Sequence, residues 1–186
     1  MNCPVDVWTI DLDAPRTVLL SQDEQDRANR LRFAKDRGRW ANARSALRAV
    51  LATCLQVDPL EIGFDLGKHG KPSVKGVEFN LSHAGGWAMI AVSRCAPVGI
   101  DLEAIRDNVD IARLLDRIGE TQLTGTPAEL FQVWARRESR TKAVGGPLME
   151  IPTEDLRVVE LKAPEGFVAA LAMLARDPQV TYCGGI

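Results

Sequence analysis

The sequence predicts a mixed α/β protein of the α+β type, in which helices followed by a small antiparallel sheet occur twice along 186 residues. Three observations predict it. Helical spacing with marked start and stop signals occurs in both halves of the chain. Short strand-like runs joined by Gly- and Lys-rich turns follow each helical region. No residue-level repeat, low-complexity tract or linker interrupts the chain, so one domain spanning 1–186 is expected, with intimately packed halves of roughly 1–98 and 99–186.

The elements follow in order. "VDVWTID" reads as a first strand. Ser21, with Glu24 three residues later, has the pattern of a capping box at a helix start. After Gly38, apolar residues Trp40, Ala43, Leu47, Val50, Leu51 and Cys54 recur at helical spacing. Arg37, Arg44 and Arg48 share another face of that helix and read as a solvated basic stripe. "EIGFDL", "VEFNL", "WAMIAVS" and "PVGIDLE" then read as short strands. In the second half, "NVDIARLLDRIG" predicts a helix ending at Gly119. A longer helix has Thr126 as its cap, Pro127 at its first position, Glu129 completing the box and Gly145–Gly146 as the stop. "DLRVVELK", "GFVAALAML" and "VTYC" suggest a final antiparallel set, although the Ala-rich middle run also suits a helix.

Composition narrows the function class. The chain is 46% hydrophobic and 26% charged, ordinary for a globular protein. A formal charge of -2 argues against a general nucleic-acid binder. That sum hides a basic run from Arg27 to Arg48, in which Asp36 is the one acid. Cys3, Cys54, Cys95 and Cys183 form no CxxC pair and only two histidines are present, so neither a zinc site nor a disulfide scaffold is expected. The N-terminus lacks the basic start and long apolar run of a signal peptide or membrane anchor. A soluble, reduced, cytoplasmic protein is the expectation.

One short stretch raises a chemical question. In "PVGIDLEAIR" Asp101 and Glu103 lie two apart, so in a strand they share a face while Ile100 and Leu102 take the other. The face is either solvated or a pair of oxygen ligands for a hard cation. A third acid lies on the long second-half helix, where Trp134, Glu138 and Lys142 fall along one stripe at steps of four. Arg136, Arg137 and Arg140 surround Glu138 with positive charge. Magnesium is commonly held by carboxylates together with substrate phosphate oxygens. Composition and spacing reach a magnesium-dependent enzyme or binder acting on a phosphorylated ligand, and stop there.

"FNLSHAGGWA", "VGIDLE" and "WARRESRTKA", in that order, resemble the three motifs of the surfactin-type 4'-phosphopantetheinyl transferases. "GKP" at Gly70 to Pro72 and the upstream "RLRFAKDRGRWANARSALR" are also similar to that family, and the likeness runs from about Trp8 to the final strands. The resemblance implies a pseudo-twofold α/β fold binding coenzyme A between the halves. It also implies transfer of the phosphopantetheine arm to a serine of an apo acyl or peptidyl carrier protein, releasing 3',5'-ADP.

On the matching motifs, Asp101, Glu103 and Glu138 are expected to hold magnesium on the diphosphate. Glu138 is the expected base for the incoming serine, and Lys142 is expected to hold the diphosphate and assist the departing phosphate. Lys35, Arg39, Lys71 and His83, with Ser82 beside it, are the candidate coenzyme A contacts. Adjacent Ser82 and His83 face opposite ways in a strand, which argues against a hydrolase nucleophile pair. Arg137 stands where the family usually has Lys, and Arg140 and Thr141 replace positions that are often apolar.

A monomer is expected, with coenzyme A and a carrier protein as partners and neither nucleic acid nor membrane. The alternatives are a non-catalytic or weakly active protein that binds coenzyme A or a carrier, and another magnesium-dependent phosphodiester or diphosphate enzyme. If the acids only repel one another in the absence of metal, Asp101→Ala leaves metal-free stability unchanged or raised.

Overall fold

The computed structural model describes residues 2–121, 123–147, 155–174 and 177–184. The chain runs β1 (Asn2–Asp11), α1 (Gln22–Asn29), α2 (Ala34–Leu55), a 3-10 turn (Pro59–Glu61), β2 (Asp65–Leu66), β3 (Pro72–Ser73), β4 (Glu78–Ala84) and β5 (Trp87–Ser93). It continues through β6 (Val98–Ala104), α3 (Ile111–Arg117), α4 (Pro127–Val144), β7 (Arg157–Leu161), β8 (Phe167–Met173) and β9 (Asp177–Cys183). The mixed α/β content with small, mainly antiparallel sheets agrees with the class expected from sequence.

Local signals set most helix ends. Both halves of the Ser21–Glu24 capping box form at α1, and both halves of the Thr126–Glu129 box form at α4. Gly145 closes α4 in the left-handed region at φ 67°, where a side chain is disfavoured. One boundary differs from expectation: α2 starts at Ala34, with Gly38 inside it. A helical glycine costs about 1 kcal/mol. The buried face of Ala43, Ala46, Leu47, Val50 and Leu51 outweighs that cost.

Two sheets organise the molecule. One has the order β4-β5-β1-β9 and the other β6-β8-β7. All their pairings are antiparallel except β1 with β9, which is parallel. This corrects the expected final antiparallel set. β7 and β8 pair as expected, but β9 returns to the first sheet and aligns Val180 with Val5. The Ala-rich run is strand β8, not helix, because Ala169 to Met173 is buried on both faces. Of "EIGFDL" only Asp65 and Leu66 are strand, paired with Pro72 and Ser73.

Strand alternation assigns the layers. Ile10, Ala88, Ile90 and Val92 face α2. Val5, Val7, Met89 and Ala91 pack instead against Val98, Ile100, Leu102, Ala169, Leu171 and Met173 of the second sheet. The opposite face of β6 and β8 presents Gly99, Asp101, Ala170 and Ala172, and α4 lies across these two strands. The order is therefore α2, first sheet, second sheet, α4.

Small residues let α4 approach. A Cβ at Gly99 would overlap the α4 backbone at Ser139 and Ala143. The edge strands β4 and β6 meet without a backbone ladder. Instead the amide of Ile100 donates to Asn80 Oδ1 at 2.9 Å, and that of Leu102 donates to Ser82 Oγ at 3.2 Å.

The reading of four reduced cysteines is also corrected. Cys3 and Cys95 form a disulfide across 92 residues, while Cys54 and Cys183 are free thiols. The register explains the contact. Val5 pairs with Ser93, so Cys3, two residues earlier, comes beside Cys95, two residues later. No zinc-like cluster accompanies it among the described residues. No helix there is long and apolar enough to cross a membrane.

Two outcomes follow from this packing. Denatured protein purified without reductant should yield two thiols of the four cysteines in a colorimetric thiol count, and four only after reduction. Gly99→Ala should lower the melting temperature sharply, by an overpacking cost of about 1–3 kcal/mol or more, because helix backbone has to move. An unchanged melting temperature would contradict the close α4–β6 contact.

Candidate active site

The face of β6 that bears Asp101 and Glu103 is turned toward α4, not toward water. Asp101 is only 2% exposed. From α4, Lys142 Nζ donates to Asp101 Oδ1 at 2.5 Å and to Ser82 Oγ at 3.1 Å. Ser82 Oγ in turn donates to Asp101 Oδ1 at 3.0 Å. Glu138, one turn before Lys142, is buried on the same helix. Glu103 accepts from Trp134 Nε1 at 3.1 Å and has an ion pair with Arg106 at 3.5 Å. The i, i+4 stripe and the strand alternation thus converge on one place. Asp101, Glu138, Lys142, Ser82 and Glu103 are brought together.

Two oxygens in this cluster have no hydrogen-bond partner. They are Asp101 Oδ2 and Glu138 Oε1, both buried. An unsatisfied buried acceptor costs about 1–3 kcal/mol, more when charged. Burial first, and then the neighbouring Asp101, push the Glu138 carboxyl up to about 7, against smaller opposing pulls from Lys142 and Arg137. Burial and Asp101 likewise raise Glu103, with Arg106 opposing.

The acids do not close into a ready cation cage: no group of three or more His, Cys, Asp or Glu at metal-ligating spacing occurs among the described residues. The two orphaned oxygens still match what magnesium takes from a protein, one or two carboxylates with phosphate oxygens completing the shell. The donor set fits that ion.

Asp101 also has a structural partner in Lys142. Removing its carboxylate strands the Lys142 ammonium, so Asp101→Ala is no longer expected to be neutral or stabilising. Glu138 and Glu103 are the acids whose charge the fold opposes.

Beside this cluster lies a cleft of 560 Å³ between α1, α2 and β4, lined by Arg27, Trp40, Arg44, Phe64, Asn80 and His83 among others. Arg27 lies over the Trp40 ring, and Arg44 over Phe64 at 3.8 Å from the centroid. Glu24, from the α1 capping box, pairs with both Arg44 and Arg48. Burial pushes the Glu24 carboxyl up, but hydrogen bonds from Arg48, Ser21 and Arg44 prevail and hold it below its ordinary value. Burial, then Lys142, hold His83 below the usual imidazole range. It is therefore neutral near pH 7.

Lys35, Arg39 and Lys71 do not line this cleft. Lys35 and Arg39 fall on another face of α2, where Asp13 takes Arg39 in two bonds of 2.5 and 2.7 Å. Lys71 donates to Val98 O at 3.1 Å and Ala143 O at 2.9 Å, tying the β2–β3 hairpin to β6 and the end of α4. It lines a second cavity of 220 Å³ with Lys142, Thr141 and Asn80.

Sequence reasoning missed Arg27 and Arg44 as cleft residues because both sat in a run full of cations. The available signal was Glu24, whose capping position fixes one acid where α2 presents Arg44 and Arg48.

Comparison with known proteins decides the family. A family model described as "4'-phosphopantetheinyl transferase, N-terminal" matches residues 14–95. The "4'-phosphopantetheinyl transferase HetI" of a Nostoc species is 32% identical, over 91% of this chain and 87% of that protein. The chain belongs to the 4'-phosphopantetheinyl transferase family. A Bacillus subtilis relative with that transferase name is 25% identical to this family member over 90% of the chain and 86% of its own length. The "4'-phosphopantetheinyl transferase Sfp" of Bacillus subtilis strain 168 is also 25% identical, over 75% of the chain and 66% of its own length. In this transferase the buried acids and Lys142 lie in the segments that carried the sequence resemblance.

The raised Glu138 carboxyl has a consequence for stability in the absence of metal. Its folded value of about 7 exceeds the ordinary glutamate value of 4.5, so between those pH values the native state binds more protons than the unfolded one. Stability therefore falls as pH rises through that window, and the loss is complete above pH 7. In chelator, Glu138→Gln should melt higher than the parent at pH 8 and lose that advantage by pH 4.5. A difference independent of pH would refute the assignment.

Proposed function

We propose that this transferase moves the 4'-phosphopantetheine arm of coenzyme A to a serine of an apo acyl or peptidyl carrier protein, with magnesium, releasing 3',5'-ADP. The observation that carries the reading is the buried set of Asp101, Glu138 and Lys142, with two unpartnered carboxylate oxygens beside a cationic, aromatic cleft.

The nucleotide end of coenzyme A has the right chemistry for the cleft. Arg27 and Arg44 offer charge to phosphate, Trp40 offers a ring face, and the 560 Å³ volume is of ligand size. The diphosphate then lies toward His83 and Lys142. A role for Lys35, Arg39 or Lys71 at the 3'-phosphate requires Arg39 to leave Asp13 and Lys71 to leave its two carbonyls. Asp101, Glu138 and Glu103 are the residues to hold magnesium, which when bound spreads the negative charge of the diphosphate.

In the transfer, the serine Oγ attacks the β-phosphorus. The bond from that phosphorus to the bridging oxygen breaks, and 3',5'-ADP departs with the bond's electron pair. Glu138, buried beside the attack position, takes the serine proton. Lys142 stabilises charge on the equatorial and leaving oxygens, and positioning supplies most of the remaining barrier reduction.

The test is incubation with coenzyme A, magnesium and a panel of apo-carriers, followed by intact mass. One carrier serine should gain a single phosphopantetheine, with 3',5'-ADP formed in equal amount. Asp101→Asn and Glu138→Gln should each lose at least about a hundredfold in kcat. Hydrolysis of coenzyme A without carrier modification would favour a diphosphate hydrolase. Binding of coenzyme A without any transfer would favour a non-catalytic binder.

A further inference from the structure

Trp134 has no part in the reaction just described, yet its indole makes the shortest polar contact to Glu103 in the described structure, 3.1 Å from Nε1 to Oε1. We propose that Trp134 is a positioning residue, whose N–H fixes the Glu103 carboxylate so that its other oxygen joins Asp101 and Glu138 in the divalent-cation site. The inference rests on the reading of those acids as a cation site.

Three features support it. First, indole is a donor only, with one N–H, so it takes one carboxylate oxygen and leaves the second. That second oxygen, Oε2, has an ion pair of 3.5 Å with Arg106, whose side chain is 53% exposed, a weak hold that a cation can displace. Second, Trp134 stands one helical turn before Glu138 on α4. Any shift of the helix that moves Glu138 therefore also moves the group that holds Glu103. Third, the indole is itself anchored, because it packs against the cluster of Ile111, Leu115, Leu130 and Phe131. A glutamate left to rotate loses rotamer freedom when a ligand fixes it, and a prior hydrogen bond removes part of that cost.

The test uses manganese(II) as the probe, with the free ion counted by electron paramagnetic resonance on the full chain. Trp134→Phe keeps a ring in the apolar cluster and deletes the N–H. It should weaken manganese binding about tenfold, the scale expected for a group that orients a metal ligand. Glu103→Gln should also weaken binding, and the double variant should bind no more weakly than Glu103→Gln alone, the signature of action through Glu103. A merely structural role predicts instead a lowered metal-free melting temperature and additive losses.

Equal affinity in Trp134→Phe and parent, with binding lost in Asp101→Asn, would overturn the positioning role and leave the cation site standing. Parent-like affinity in Asp101→Asn would overturn both. Should Trp134→Phe fail to fold, the indole N–H signals of the four tryptophans in nitrogen-15 spectra give the answer. One of them should shift both on Glu103→Gln and on adding magnesium to the parent, and no shift would overturn the proposal.

Discussion

Asn80 and Ser82 on β4 accept the amides of Ile100 and Leu102 on β6, and this pair of side-chain bonds takes the place of a ladder between two sheet edges. Two bare edges would otherwise present unpaired amides to each other or to another chain. Each bond is worth only about 1 kcal/mol net, but leaving the amides buried and unmade would cost more. The site inherits its geometry from the same atoms. Ser82 Oγ accepts from Leu102 and Lys142 and donates to Asp101, so one hydroxyl uses its whole capacity at the junction of scaffold and chemistry. Gly99 adds the steric half of this constraint by letting α4 close on β6.

The acidic cluster shows how crowded carboxylates are tolerated. Asp101 is paired with Lys142 through Oδ1, whereas Glu138 has a raised carboxyl, and each acid keeps one unsatisfied oxygen. Such an arrangement works against folding, and function is the usual reason that a chain retains one. The helix that carries Glu138 is capped at both ends, by the Thr126–Glu129 box and by Gly145.

The cationic side of the cleft follows a different logic. Arg44 and Arg48 are aligned by Glu24 and by the Phe64 ring, which orders two long side chains. Burial lowers the Arg44 pKa and Glu24 opposes that shift, so an acid from a separate helix offsets part of the cost of burying the guanidinium. Arg39 is bound at its own acid, Asp13, at the end of β1. Basic residues that look interchangeable in the sequence are thus divided between lining a cleft and closing a surface ion pair.

The sequence by itself determined whatever depends on near neighbours along the chain. The Ser21–Glu24 and Thr126–Glu129 boxes, the stripe of Trp134, Glu138 and Lys142, and the alternation that puts Asp101 and Glu103 on one face are all local geometry. They were legible because helix and strand periods are fixed by the backbone. Only the tertiary structure decided the parallel return of β9 to β1, the bridge between Cys3 and Cys95, and the choice of Arg27 and Arg44 over Lys35 and Arg39 as cleft residues. Each of these joins segments far apart in the chain. Their pairing is set by which faces the packed sheets leave open and which acid reaches a given arginine, and residue spacing carries no record of either.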